Sequence, residues 1–464
     1  MRSQSEGEDQ GAVARLAKMC AYDFLSHAIR SWLNLSPEKA DSIPNPTTKN
    51  FLLRVIGSYE LYPIHRALLP MLDTRDLLAL PATSTKFRKG IHDTVWNINT
   101  KLARFFDDPV AFRTQLGMSN GLISGSFALQ FLEGVTWKDS DLDILIQHGE
   151  DADAIEQCLI EQGYEFVEAC THPERYLYAF VAECKKYVKK KQSDNNLMNE
   201  ESNTEQNATI AEATTANCGV EIITTHDIPV WIILKGFYTT CVMNFITWNR
   251  VYSIFPRVTF LEHETIPLKP LDTHYGQCLL KYSVRGWPMA THPMTPKRWN
   301  DLIYPQALSD HMSCNRRVGD GDTWILKLDT KHIPRPPKPD FVVECCSFTI
   351  TSPVPQRTGY LDLYGHLMIE AYLLESPVLR YRYTHGYNLD LSHIFARATR
   401  MQLCKVKKKD LHLVYDEASG NVRRSGRYDV PGWDYQDEKY PGYLRDYFNN
   451  PNMLYDMGYV DGVV

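Results

Sequence analysis

Two aspartates separated by one residue are the part of the sequence best suited to chemistry. Asp141 and Asp143 stand in SDLDILIQ, where polar and apolar residues alternate as in a β-strand. A strand's two-residue period places both carboxylates on one face, while Leu142 and Ile144 enter the core. Adjacent carboxylates repel each other, and a divalent cation between them relieves that repulsion. Such oxygen ligands suit Mg²⁺, which shares its coordination shell with waters and substrate phosphates.

A glycine and a serine upstream of the aspartates suit a phosphate group. Gly125 and Ser126 follow the short apolar run GLIS and begin the helix-like segment SFALQFLEG. Glycine lets the backbone approach a phosphate closely, and the start of a helix presents unpaired N–H groups. A phosphate site beside a cation site is what phosphoryl or nucleotidyl transfer requires.

The elements that must position these residues follow the order strand, helix, strand and helix. GLISG and DLDILIQ are predicted strands, SFALQFLEG is a predicted helix, and DADAIEQCLIEQ is an amphipathic helix that ends at Gly163. Further along, GVEIITT is a predicted strand and PVWIIL a helix opened by Pro229. The aromatic-rich residues 237–260 should lie in the core. The alternation of predicted strands and helices is typical of the start of an α/β layer.

The order of an apolar residue, Gly125-Ser126, a spacer and the pair Asp141 and Asp143 resembles the nucleotidyltransferase superfamily, which has the polymerase-beta-like fold. The chain is most similar to nucleotidyltransferase-like proteins common in fungi, over about residues 116–262. The resemblance implies an α+β fold: a nucleotidyltransferase-like mixed sheet with flanking helices, preceded by an all-helical region and followed by an irregular α+β C-terminal region.

The resemblance also implies a site. Asp141 and Asp143 would hold Mg²⁺, and Gly125 and Ser126 would seat the phosphates of a nucleoside triphosphate. A third acidic residue, for which Glu221 is the best match, would complete the metal site or draw the acceptor proton.

Two alternatives remain open, one for the identity of the third acidic residue and one for the role of the two aspartates. Asp227 is a poorer match than Glu221, because it follows the end of the predicted strand. The segment Asp139-Ser140-Asp141 could also be an ordinary polar turn, with Asp143 a solvated residue at its rim.

Basic residues beyond the predicted domain are candidate phosphate ligands. Lys281 and Arg285 stand four residues apart, so a helix would present both on one face. Together with Arg316 and Arg317 they could hold a triphosphate or an acceptor strand. The alternative is a solvated or salt-bridged face.

The chain divides into four predicted regions: a helical tail at 1–48, a helical F-box-like region at 49–115, the nucleotidyltransferase-like domain at 116–262 and a C-terminal α+β region at 263–464. In the last region LDLYGHLMIEAYLL has helix-like spacing.

A polar stretch interrupts the predicted domain. Residues 186–217 are nearly free of aromatic residues and have no hydrophobic period, so we expect them to bury too little surface to hold a structure. A disordered insertion is predicted at 190–217.

The predicted helical region at 49–115 has a faint resemblance to a second family. DLLALPATSTKFRKGIHDTVW resembles an F-box segment, which packs on the Skp adaptor of ubiquitin ligases. The alternative is a helical bundle that braces the α/β domain, with Leu77, Leu78, Phe87 and Trp96 buried at helical spacing.

Composition limits the class of protein. The 464 residues carry a formal charge of −6, which does not suit a protein that mainly coats nucleic acid. The 11 cysteines include no CxxC pair, and Cys345 and Cys346 are expected on a strand as reduced, structural thiols.

No signal sequence or long apolar run is seen, so we expect an intracellular protein, cytoplasmic or nuclear, with no membrane partner.

Two functions remain in competition. One is an enzyme that transfers a nucleotidyl group from a nucleoside triphosphate to an unknown acceptor, which could be RNA, protein or a small molecule. The other is a binding or scaffold protein that keeps the fold without the chemistry, with the Skp adaptor as a possible partner. Glu221 close to Asp141 and Asp143 in an open cleft would favour the enzyme, and a filled cleft would favour the scaffold.

Overall fold

The computed structural model of the chain describes most of the region from residue 85 to residue 449. The described residues are Thr74, Leu77, 85–169, 180–189, 219–270, 272–290, 296–303, 313–352, 366–387, 391–415, 422, 426 and 430–449. The helical tail predicted at 1–48, most of the F-box-like segment and the insertion predicted at 190–217 lie outside these residues.

An eight-stranded mixed sheet forms the centre of the fold. Its strands, in chain order, are β1 (Leu122–Ser124), β2 (Leu142–Gln147), β3 (Tyr164–Ala169), β4 (Val181–Lys189), β5 (Gly219–Thr225), β6 (Asn244–Ile246), β7 (Arg250–Ser253) and, after β8, β9 (Trp324–Lys327). The spatial order is β3-β4-β5-β2-β1-β6-β7-β9. Strands β2 and β5 run parallel, and the other neighbouring pairs are antiparallel.

Two smaller antiparallel sheets lie in the C-terminal part. Their strands are β8 (Ser313–Arg317), β10 (Ser347–Thr351), β11 (Met368–Glu370), β12 (Tyr372–Leu374) and β13 (Tyr383–His385). The first sheet has the order β11-β10-β8, and the second pairs β12 with β13.

Helices flank these sheets. They are α1 (Thr85–Thr94), α2 (Ile98–Leu102), α3 (Pro109–Met118), α4 (Gly125–Glu133), α5 (Glu150–Glu161), α6 (Pro229–Gly236), α7 (Thr273–Ser283), α8 (Pro296–Leu302), α9 (Phe341–Glu344), α10 (Ser392–Leu403) and α11 (Tyr440–Asn449). Several begin at side-chain caps: Asp108 accepts from two backbone N–H groups of α3, and Asp272 accepts from one of α7. No helix in the described part of the chain is long and apolar enough to cross a membrane.

The fold is therefore α+β, with a large mixed sheet and flanking helices, as the sequence predicted. The predicted strands and helices from GLISG to DADAIEQCLIEQ are β1, α4, β2 and α5, and GVEIITT and PVWIIL are β5 and α6. Of the 24 residues 237–260, 18 are buried and the other six are partly buried, which also confirms the prediction for that segment.

Three expectations about local structure are wrong. The helix-like spacing at LDLYGHLMIEAYLL fails where the structure describes it, because Leu367, Ile369 and Ala371 are buried with the two-residue period of strands. The polar stretch that starts at residue 186 begins inside β4, which continues to Lys189. The adjacent cysteines precede β10 instead of lying on it, since Cys345 caps α9; both thiols are buried.

The described part of the predicted F-box-like region packs on the α/β layer. Leu77 and Trp96 are buried, and the indole N–H of Trp96 donates to the carbonyl of Leu132 in α4 at 3.2 Å. The side chains of Leu78 and Phe87 lie outside the described residues.

The predicted boundary near residue 263 is crossed by the large sheet. Strand β9 pairs with β7, with Ile325 opposite Tyr252. The C-terminal region thus supplies the edge strand of the sheet, and the division of the chain into domains stays a prediction.

Candidate functional site

Four side chains form a row across the large sheet. Asp143 on β2 pairs with Ser124 on one side and with Glu221 on the other, and Glu221 pairs with Lys186 on β4. Directly opposed residues of neighbouring strands share a face. Asp141 precedes Asp143 by two residues and therefore belongs to the same face. We call Asp141, Asp143 and Glu221 the acidic cluster.

Gly125 brings backbone into contact with the acidic cluster. Its φ is +65°, a conformation that side chains disfavour. A Cβ at this position would lie only 2.0 Å from Oδ2 of Asp143. The turn from β1 into α4 therefore needs glycine both for its backbone angle and for its closeness to the carboxylate.

The hydroxyl of Ser126 ties the start of α4 to the loop that carries Asp141. It forms a short hydrogen bond with the hydroxyl of Ser140, and both residues are buried. Arg104 holds the same loop by donating to the carbonyls of Trp137 and Ser140. Ser126 thus positions the helix start and the aspartate relative to each other.

Asp141 has two partners, one for each carboxylate oxygen. The backbone N–H of Gly219 donates to Oδ1 at 2.9 Å. Nζ of Lys186 donates to Oδ2 at 2.9 Å and lies 4.0 Å from Oε1 of Glu221. An ammonium group therefore stands between two members of the acidic cluster.

Ser124, Gly125, Ser126, Ser140, the acidic cluster and Lys186 line one open cavity of about 600 Å³. The sheet wall carries Gly125, Ser126, the acidic cluster and Lys186, with Leu145 and Ile223 one step further along their strands on the same face. Four carboxylates, including Asp139, face two ammonium groups in this cavity, so its formal charge is −2 with His274 set aside. A ligand that carries phosphates must bring or recruit positive charge.

The wall opposite the sheet comes from α6 and α7. The α7 side chains that line the cavity are His274, Gln277, Cys278, Lys281 and Tyr282. His274 Nε2 lies 3.9 Å from Sγ of Cys278, and Tyr238, which follows α6, stacks on Tyr275 with ring centroids 5.8 Å apart.

Two tyrosines of this wall are held in the neutral form. Burial raises the pKa of Tyr282 well above its ordinary value, and the neighbouring Cys241 and Asp143 raise it further. Burial likewise raises the pKa of Tyr238, with a contribution from Tyr282. Neutral phenols present a hydrogen-bond donor without adding negative charge to the cavity.

The structure separates the basic residues that the sequence grouped together. Lys281 lines the cavity, but α7 ends at Ser283, and Arg285 is not among the lining residues. The guanidinium of Arg285 lies 4.2 Å from the ring centroid of Trp137. Its position is that of a cation–π contact between the end of α7 and the loop before β2.

Arg316 is fully engaged inside the protein. It is 1% exposed and donates to Asp320, at 2.6 Å from Nε and 2.9 Å from Nη2. Its contacts tie β8 to the turn before β9, away from the cavity. Asp227, the weaker candidate for a third acid, pairs with Arg382 and does not line the cavity either.

The acidic cluster has the right chemistry for Mg²⁺, although it is not a preformed metal site in the described part of the chain. Carboxylate oxygens are the donors that this ion prefers. In the described part of the chain, however, no three His, Cys, Asp or Glu side chains are arranged to hold a metal ion together. The cation that contacts Asp141 is the ammonium of Lys186.

Comparisons with family models, with curated proteins and with solved structures find no match to this chain.

Sequence reasoning missed Lys186 and, apart from Lys281, the wall from α7. Lys186 was assigned to the polar stretch, although the alternation in CKKYVK is that of a strand and could have placed it on β4. Tyr238, His274 and Tyr282 gave no local signal, because only the packing of α7 over the sheet brings them to the cavity.

Proposed function

We propose that the cavity binds a nucleoside triphosphate and transfers its nucleotidyl group to an acceptor hydroxyl. The observation that carries this proposal is the convergence of Gly125, Ser126 and the acidic cluster on one wall of an open cavity. These are the residues in which the chain resembles nucleotidyltransferases. A nucleotidyltransferase-like fold is part of the same proposal.

The phosphates would lie at the start of α4. The backbone at Gly125 can approach a phosphate because no side chain intervenes, and the N-terminus of the nine-residue helix favours negative charge. Lys281 reaches the cavity from the opposite wall and would contact the phosphates as a point charge.

The acceptor would lie beside Glu221. In the transfer step the acceptor oxygen bonds to the α-phosphorus, the bond from that phosphorus to the bridging oxygen breaks, and pyrophosphate leaves. Glu221 would take the proton of the acceptor hydroxyl as a general base. Its side chain is 12% exposed, so it is partly shielded from water but still reachable from the cavity.

Mg²⁺ is proposed to enter as the complex of the triphosphate, because the unliganded cavity holds no preformed metal site among the described residues. When bound, Mg²⁺ neutralises charge on the phosphates. The acceptor itself is proposed only by class, as RNA, protein or a small molecule that carries a free hydroxyl group.

A binding or scaffold protein is the second candidate. The ion pair of Lys186 with Asp141 favours it, because a lysine already occupies the place of a cation beside Asp141. An F-box-like adaptor role would need exposed apolar residues in 49–115. Leu77 and Trp96 are buried, so that surface would have to come from other residues of the region.

Label transfer separates the two candidates. Protein would be incubated with each α-labelled nucleoside triphosphate, Mg²⁺ and RNA, protein or small-molecule acceptors. We expect labelled acceptor with wild type and at least a hundred-fold less with Asp143→Asn. The control Asp446→Asn removes an exposed carboxylate on α11 and should transfer as wild type does. No label in any acceptor, with every triphosphate, would favour the scaffold.

A further inference from the structure

Lys186 has a position that an ordinary surface lysine does not have. Its strand, β4, lies between β3 and β5, so its backbone is fixed on both sides by the sheet. Pairing with Glu221 directs its side chain to the face that carries the acidic cluster. The side chain is 29% exposed, and it lines the cavity.

Gly219 makes the contact between Lys186 and Asp141 possible. A Cβ at this glycine would lie 3.0 Å from Oδ1 of Asp141 and 3.0 Å from Cε of Lys186. The absence of a side chain lets the lysine stem and the carboxylate approach the same point of β5. Because the N–H of Gly219 also donates to Asp141, one residue aligns both partners of the ion pair.

We propose that the ammonium of Lys186 is the resident counter-cation of the acidic cluster and keeps free divalent cations out of the site. The contacts of Lys186 relieve, from within the chain, the repulsion between Asp141 and Glu221. A divalent cation that arrives alone must displace the ammonium from Asp141 or share the carboxylates with it, and like charges a few ångströms apart repel.

A polyphosphate changes this balance. An incoming triphosphate with its own Mg²⁺ supplies both a replacement cation for the carboxylates and anionic oxygens for the displaced ammonium. The exclusion of free cations is independent of the proposed function, whereas this second step rests on it. Lys186 is thereby a positioning residue that couples cation binding to the arrival of a phosphate ligand.

The test measures binding of Mn²⁺ alone, as a spectroscopic substitute for Mg²⁺, to the unliganded full-length protein. Free Mn²⁺ is followed by electron paramagnetic resonance during titration. We expect Lys186→Met and Lys186→Gln to bind Mn²⁺ at least ten-fold more tightly than wild type. Lys186→Arg keeps the charge and should bind as weakly as wild type.

Lys185 provides the matched control. It lies on the same strand, β4, but faces away from the cavity. There its Nζ lies 2.9 Å from Glu156 and 3.1 Å from Glu183. Lys185→Met therefore also frees two carboxylates and changes the net charge equally. We expect no gain in Mn²⁺ affinity from it. Adding Asp143→Asn to Lys186→Met should abolish the gain at the acidic cluster.

Two outcomes would overturn the proposal. One is equal Mn²⁺ affinity in wild type, Lys186→Met and Lys186→Gln, and the other is an equal gain in Lys185→Met. Melting curves with and without Mn²⁺ give a second readout: Mn²⁺ should raise the Tm of Lys186→Gln but not that of wild type. No nucleotide is present in these assays, so failure of nucleotide binding leaves this inference standing.

Discussion

Two separate constraints, the backbone conformation and the closeness of Asp143, require glycine at position 125. Its φ is +65°, and its α-carbon faces Oδ2 of Asp143, so any side chain would be strained and would meet the carboxylate. Gly432 has a similar φ of +78° but no atom within 4 Å of the Cβ that a substitution would add. A comparison of substitutions at Gly125 and Gly432 therefore separates the cost of backbone strain from the cost of contact with Asp143.

We predict that Gly125→Ala destabilises the protein by about 2–5 kcal/mol, because a left-handed conformation costs about 1–2 kcal/mol and overpacking about 1–3 kcal/mol. Gly432→Ala should cost only the first of these. Urea unfolding of both variants measures the difference. Equal destabilisation would mean that the approach of Gly125 to Asp143 is not as close as described.

At the level of single residues the sequence was informative where the chemistry is local. The types and spacing of Gly125, Ser126, Asp141 and Asp143 were enough to bring them to one hypothesis, and all four line the cavity. Lys186 was missed because a lysine near a polar stretch looks like a solubilising residue. Its place in the cavity follows from the pairing of β4 with β5, which brings Lys186 beside Glu221, a residue distant in the sequence.

Secondary-structure elements followed the sequence closely wherever the hydrophobic period was long and regular. Strands β2 and β5 and helices α4 and α5 match their predicted segments. The prediction failed in the described part of LDLYGHLMIEAYLL, residues 366–374, where apolar spacing fits a helix and a strand equally well. Pairing of β11 with β10 decides between them, and that pairing is not visible in the segment itself.

The turn between β8 and β9 depends on a buried ion pair. Asp320 accepts hydrogen bonds from Arg316 and from the backbone N–H of Arg317 and Thr323. Burial alone would raise the pKa of Asp320, but the Arg316 guanidinium and these donors outweigh it, so the pKa lies below its ordinary value. A lowered carboxylate pKa means that the charged form stabilises the fold.

We predict that Asp320→Asn costs about 3–5 kcal/mol at neutral pH, because it leaves the buried charge of Arg316 without its partner. The stabilisation by Asp320 is complete above its unfolded pKa of about 4 and is lost as the pH falls through the lower folded pKa. The difference between wild type and variant should therefore be constant from pH 8 to about pH 5 and shrink below about pH 4. Urea melts across this range measure it.

Asp322 serves as the control in the same turn. Burial raises its pKa, and its contact with Arg257 is longer, at 3.4 Å. Asp322→Asn should change the free energy of unfolding by less than about 1 kcal/mol. A similar cost for the two variants, or a cost for Asp320→Asn that is independent of pH down to pH 3, would contradict the assigned role of Asp320.

For the molecule as a whole, the cavity exists because distant parts of the chain enclose it. The sheet wall comes from residues 122–225, and α7 from the C-terminal region forms the facing wall. The indole N–H of Trp287 donates to the carbonyl of Thr259 at 2.7 Å and holds the chain after α7 against the core. Local patterns could predict the first wall, but only Lys281 of the second, because nothing in the α7 segment shows that it packs over the sheet.

The formal charge of the cavity makes the ligand prediction specific. With four carboxylates and two lysines, the cavity disfavours a free triphosphate and accepts one only with compensating cations. Nucleotide binding should therefore depend on Mg²⁺, and it should fail when Asp143 loses its charge. Asp143→Asn relieves repulsion in the unliganded protein, so the variant should be as stable as wild type or slightly more stable.

Thermal unfolding of wild type and Asp143→Asn, with each of the four common nucleoside triphosphates and with or without Mg²⁺, tests the proposed site most directly. We predict that at least one triphosphate raises the Tm of wild type in the presence of Mg²⁺. A ligand at a hundred times its Kd stabilises by about 2.7 kcal/mol. The same ligand should leave the Tm of Asp143→Asn unchanged. A wild type that is indifferent to all four triphosphates with Mg²⁺, together with a strongly destabilised unliganded Asp143→Asn, would contradict the account and leave Asp143 a structural carboxylate.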